Sequence, residues 1–250
     1  MARIASLVLV CRACVASLAV PAPLAARVGR GGALAASAAA AAGGADFSSA
    51  ASTLFANDRV PAALFAGASA GAVFAMPLGA GDGLRLGLAK RGYTLCMVAS
   101  LAAQLVVVLV STLAMGSIAT RGHAPAESLA GFVDAHYALE WAAARLAFLF
   151  GILSFTTAVG LRAWVTIGCP IIAKAAVGII ASSALLALAF IQEHNDYGSL
   201  AGLPARFAGL LLAKTTGSPL FALAGGALVS TAAYLAYELP HVCRWLVSGQ

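Results

Sequence analysis

Few side chains in this sequence are equipped for chemistry, and their spacing narrows what that chemistry can be. Gln104 is the one strongly polar residue in an apolar run over 93–118; in lipid such an amide either hydrogen-bonds a neighbouring helix or lines a polar path. His123 and His136 stand thirteen apart, and Glu193, His194 and Asp196 form a short cluster. Imidazole and carboxylate are metal ligands, but neither group has the spacing of a closed site. Solvated or interfacial positions account for both, and no metal site is expected. Cys11 and Cys14 form C-x-x-C, a redox spacing where a strand meets a helix; nothing strand-like surrounds them, so the pair is read as chance. No Asp or Glu falls deep within an apolar run, so the carboxylates that carry protons or ions in pumps have no evident counterpart. A phosphate-cradling glycine loop, H-E-x-x-H and a nucleophile elbow are missing from the sequence. No catalytic residue is therefore assigned, and an enzyme ranks third among the readings.

What must hold these residues is a membrane. Of the 250 residues, 62% are hydrophobic and only 10% charged, with mean hydropathy +0.95, far from the roughly 25% charged balance of soluble domains. The net charge of +6 does not indicate nucleic acid. Arg3, Arg12, Arg27 and Arg30 lie in an acid-free N-terminus, and the remaining charges are dispersed in loops, without the basic stripe of a nucleic-acid binder.

Residues 1–52 read as a targeting leader and a low-complexity Ala/Ser/Gly segment. An apolar start is followed by PAPLAA, an arginine spacer and an acid-poor Ala/Ser run. This bipartite order matches import in two steps, as in plastids derived from an engulfed alga. The mitochondrial inner membrane comes second and the secretory pathway third.

Residues 53–240 are expected to form an all-α, polytopic membrane bundle of four to five transmembrane helices with short interfacial helices. The expected spans are 60–78, 93–118, 138–167, 171–192 and 219–237, followed by a tail at 241–250. In the first, Asp58 and Arg59 precede the span and Pro61 occupies its first turn, a tolerated position. Gly67 and Gly71 stand at the G-x-x-x-G spacing that lets another helix approach closely. A helix beginning near Pro125 and Glu127 is expected to lie in the interface. The third span has sixteen uncharged residues between Arg145 and Arg162, a separation of about 25 Å at the helical rise. Glu140 and Arg145 are about 140° apart around that helix, so Arg145 should find Asp134, a lipid phosphate or another chain. Residues 207–212 are too few to cross.

Two resemblances bear on the reading. EWAAARLAFLFG, from Glu140 to Gly151, resembles the helix motif of light-harvesting chlorophyll proteins. That likeness would imply a Glu–Arg pair with a second, matching helix and chlorophyll ligation by the Glu and an Asn or His three later. Here the ligand position is Ala143 and no other span carries a matching Glu and Arg, which argues against membership and leaves chlorophyll as the only cofactor raised. More broadly, RVPAALFAGAS from Arg59, AKRGYTL before the second span, and EWAAAR followed by VGLRAW resemble an uncharacterised family of multi-span proteins in algae with red-derived plastids. This second likeness covers residues 59 to about 240 and implies no activity.

Five spans would place Arg85, Lys90, Arg91, Arg162, Lys174 and Arg244 on one side, facing matrix, stroma or cytosol under the positive-inside tendency. Cys96, Cys169 and Cys243 would share that reducing side, so no disulfide is expected. The expected function is a non-enzymatic accessory or structural subunit of an organellar membrane complex, surrounded by lipid and other membrane subunits. A small-solute transporter or channel is the alternative. Gly67, Gly71, Gln104, Glu140, Arg145 and Arg162 are the candidate packing or structural residues.

Overall fold

The computed structural model describes residues 46–248 apart from 78, 80, 124, 125, 194–201 and 216. The expectations for residues 1–45 of the leader, Cys11 and Cys14 included, and for His194 and Asp196 lie outside the described residues, while residues 48–52, expected in the low-complexity segment, are helical. Among the described residues there is no strand. The helices are α1 (Ser48–Ala72), α2 (Leu84–Thr120), α3 (Leu129–His136), α4 (Ala138–Thr166), α5 (Pro170–Glu193), α6 (Gly202–Thr215) and α7 (Pro219–Ser248). Four stretches are long and apolar enough to cross a bilayer: Leu86–Thr120, Ala138–Thr166, Pro170–Glu193 and Pro219–Glu238. The chain is a multi-pass α-helical membrane protein.

The expected first span, 60–78, is not among these four stretches, and the helix that holds most of it differs in extent. Helix α1 begins at Ser48 rather than near residue 60 and ends at Ala72, so Asp58, Arg59 and Pro61 all lie inside it. The extension follows from the residues before Asp58. Ala51 and Phe55 are fully buried against Ala114, Ile118, Phe132 and Trp141, and an apolar face with a partner carries a helix past a charged pair. The short interfacial helix also starts later than expected. Its cap is Ser128, whose hydroxyl accepts the Gly131 N–H at 3.1 Å, satisfying a first-turn donor that the helix itself leaves open.

The body of the protein is the packing of α1 and α4 onto α2. On α2 the buried positions Tyr93, Met97, Ser100, Gln104, Val107, Ser111, Ala114 and Ile118 follow alternating steps of four and three, with Ala103 buried beside them. This is the seam of helices packed nearly in line, as in coiled coils. Helix α1 answers with Ala51, Phe55, Asp58, Ala62 and Ser69, and α4 with Trp141, Ala144, Gly151 and Ala158. Both run antiparallel to α2. Phe55 meets Ala114 at one end, Ala62 and Ala144 meet Val107 in the middle, and Val73 and Ala158 meet Tyr93 and Met97 at the other.

At the Tyr93 end the turn between α1 and α2 is tied by polar groups. The Tyr93 hydroxyl donates to the Ala72 carbonyl at 2.6 Å, an oxygen that also accepts the Ala75 N–H at 3.0 Å. Asp82 accepts the Gly79 N–H at 2.7 Å and the Lys90 ammonium at 2.7 and 2.9 Å.

The remaining helices are held less closely. Helix α5 packs on α4, α6 on α4, and α7 on α6. Among the described residues only Ala173 of α5 and Leu203 of α6 are buried, and none of the apolar window of α7 is. Asp134 of α3 does not serve Arg145 as expected; its carboxylate takes the Arg206 guanidinium of α6 at 2.7 Å.

The Lys90 ammonium, with help from the Gly79 N–H, holds the Asp82 carboxyl below the usual carboxylate range. A carboxyl lowered by folding contributes stability above its unfolded pKa and loses it as pH falls through the folded value. Thermal unfolding in detergent should therefore show wild type above Asp82→Asn near neutrality, with the gap closing in acid.

Candidate functional site

The polar groups that the α2 seam encloses form the candidate site, and the helical register decides who meets whom. Ala62 shares a cluster with Val107 and Phe55 one with Ala114, so the register puts Asp58, one turn from each on α1, in the same layer as Ser111. Arg145 reaches this level from α4. Its Nε lies 3.4 Å from Asp58 Oδ2, with the Asp58 side chain 10% exposed and that of Arg145 38%. The Arg145 guanidinium also sits 4.4 Å from the centroid of the Trp141 ring, a cation–π contact with a residue one turn earlier on the same helix. Trp141 is in turn packed edge-on against Phe55, with ring centroids 5.5 Å apart.

Toward the centre of the bilayer the seam stays polar. Ser69 donates to Ser100 at 3.0 Å, and both are fully buried. Gln104 is fully buried, and neither end of its amide has a hydrogen-bond partner. It lies on Gly151. A Cβ added there would overlap the Gln104 amide nitrogen and come within 2.8 Å of Cδ and 3.1 Å of Cγ. Gly151 is thus the glycine that permits close helix approach, with the amide filling the room its missing side chain leaves.

Beyond the Arg145 level, α3 and the ends of α1, α2 and α4 enclose an aromatic cap. The Tyr137 hydroxyl and His123 Nε2 are 2.9 Å apart. The His123 ring lies edge-on to those of Phe132 and His136, with centroids 5.1 Å away in each case. Burial pushes the Tyr137 hydroxyl up from its ordinary pKa, Arg121 opposing and Glu140 adding to the shift, so the phenol stays neutral. Among the described residues no group of three His, Cys, Asp or Glu side chains is placed to share a metal ion.

Of the residues singled out from the sequence, Gln104 and Arg145 enter this site. Arg145 pairs with Asp58, a residue expected outside the membrane and found inside a helix. Gly67 and Gly71 lie on the exposed face of α1, with nothing within 4 Å of an added Cβ. They do not pack within the described chain; Ala62, Ala66 and Ser69 are buried on the inner face instead. Glu140 and Arg162 form no ion pair among the described residues, the first half-buried and the second exposed. Sequence reasoning missed Asp58, Ser69, Ser100, Ser111 and Trp141. The signal was there in part, since Ser100, Gln104, Val107 and Ser111 repeat the four-three step.

The chain matches no protein-family model, no curated protein and no solved structure, so the site is read from its own geometry. A carboxylate beside a guanidinium, a serine pair and an amide form an interior polar seam without a nucleophile–base pair.

Removing one member of a buried ion pair leaves its partner uncompensated, whereas removing both can be nearly neutral. Because Arg145 is partly exposed and Asp58 is not, Arg145→Leu should destabilise more, by about 2–3 kcal/mol. The double variant Asp58→Leu with Arg145→Leu should recover most of the loss. Unfolding titrations in mixed micelles measure both; a loss in the double variant equal to the sum of the singles would contradict the pairing. In the next layer, Gly151→Val should cost about 1–3 kcal/mol by overpacking. Gln104→Ala should relieve that cost in the same assay.

Proposed function

We propose that this chain is a non-enzymatic accessory subunit of a larger complex in an organelle membrane, with the plastid as first choice. The observation that carries the reading is how little of α5 and α7 the chain covers itself. The share of the apolar window buried falls from 33% in α2 and 22% in α4 to 6% in α5 and none in α7. Lipid satisfies an apolar helix surface but gives no hydrophobic drive toward one helix orientation. Neighbouring subunits would set the orientation of α5 and α7, while the α1–α2–α4 body holds itself. The acid-poor leader and the likeness to multi-span proteins of algae with red-derived plastids support the plastid.

The alternative of a small-solute channel would use Gln104 as a lining residue. Its complete burial on Gly151 favours packing over lining, and the reading of a subunit is preferred. Native electrophoresis of mildly solubilised membranes distinguishes the two. The tagged protein should migrate with a large complex, and deletion of residues 219–250 should release it while the shortened chain remains folded. Migration of the intact chain as a free monomer or homodimer would overturn the proposal.

A further inference from the structure

We propose that the α1–α2–α4 interface at the level of Asp58 is a binding site for water, seated between the Asp58 carboxylate, the Ser111 hydroxyl and the Arg145 guanidinium. The buried groups there have more hydrogen-bonding capacity than the protein supplies. Asp58 Oδ2 is buried and accepts no hydrogen bond, and Ser111 Oγ is fully buried with no partner. Neighbouring hydroxyls on these helices do find one: Thr112 donates to the Val108 carbonyl at 2.7 Å and Thr157 to that of Leu153 at 2.7 Å. Ser111 does not turn back to its own helix. A buried carboxylate oxygen and a buried hydroxyl each cost free energy when unpaired, and a water makes two to four hydrogen bonds to such groups. One water can donate to Asp58 Oδ2 and accept from Ser111.

The site has a route for that water. The Arg145 side chain is 38% exposed while reaching Asp58. Arg145 also stands about 25 Å along α4 from Arg162, so it lies at one edge of the hydrocarbon layer. Exchange past the guanidinium therefore needs no path through lipid. Deeper in the seam the conditions differ. Ser69 and Ser100 satisfy each other, and the Gln104 amide occupies the space over Gly151.

Hydroxyl-radical labelling tests this on the full-length protein in lipid nanodiscs. Irradiation converts water at the site to hydroxyl radical, which marks adjacent side chains. Phe55 is fully buried one turn from Asp58 and packs on Trp141; it should be hydroxylated. Tyr93, equally buried at the other end of the seam, should stay unlabelled. Ser111→Val should lower Phe55 labelling several-fold. Phe55 labelled no more than Tyr93 would overturn the site in the wild-type protein alone. Labelling unchanged in a folded Ser111→Val protein would overturn the seat on Ser111.

Discussion

A carboxylate held between three helices at the edge of a hydrocarbon layer cannot be left without its cation, and the placement of the helices in this protein depends on that constraint. Asp58 belongs to α1 and Arg145 to α4, and neither is a neighbour of the other in sequence. Their contact sets the height of α1 against α4, and the Val107 layer then sets both against α2. A buried pair of this kind is weak evidence for stability, because desolvation offsets most of the attraction. Its value lies in register. Sliding α1 by one turn would carry Asp58 away from the Arg145 Nε, into the Ala62 layer or the Phe55 cluster.

The apolar layers accept that register because their residues are graded in size. Around Val107 the partners are Ala62 and Ala144, and around Gln104 the partner on α4 is Gly151. Small residues bring the backbones together where the bilayer offers no hydrophobic drive for association, leaving van der Waals contact and interhelical hydrogen bonds to act. Beyond the Arg145 level large aromatic residues take over, with Phe55, Phe132, Tyr137 and Trp141 closing the end. Helix α2 has 37 residues and so is about 55 Å long, well beyond a hydrocarbon thickness of about 30 Å. The aromatic cap covers the part that projects.

Much of this was legible in composition and periodicity. Residues 93–118, 138–167, 171–192 and 219–237 correspond to helices long and apolar enough to cross, because an uninterrupted apolar run has few other stable forms in lipid. The boundary of α1 was not legible. Asp58, Arg59 and Pro61 in succession imitate the start of a helix, and only the partner surface of Phe55 shows that the helix runs through them. The G-x-x-x-G spacing at Gly67 and Gly71 misled for a related reason. In an alanine-rich helix every face offers small residues, and the face that turns inward is the one carrying Phe55 with its aromatic cluster and Ser69 with its hydrogen bond to Ser100. Gly151 stands in no such motif, yet it is the glycine that meets a neighbouring side chain most closely.

The partner of Arg145 shows what kind of information sequence withholds. Along the chain the candidates were Glu140, excluded by its angle on the helix, and Asp134 beyond the end of it. The structure gives Asp134 to Arg206 at 2.7 Å and Arg145 to a residue eighty-seven positions earlier. The two assignments are coupled. With Asp134 fastening α6 across the cap, the only carboxylate bonded to Arg145 among the described residues is the one inside the seam. The same side chain reaches the interior through its Nε and rests its guanidinium on the Trp141 ring, with 38% of it exposed. The α1–α2–α4 body is thus held by its own contacts, whereas α5 and α7 leave most of their apolar surface uncovered by the described residues.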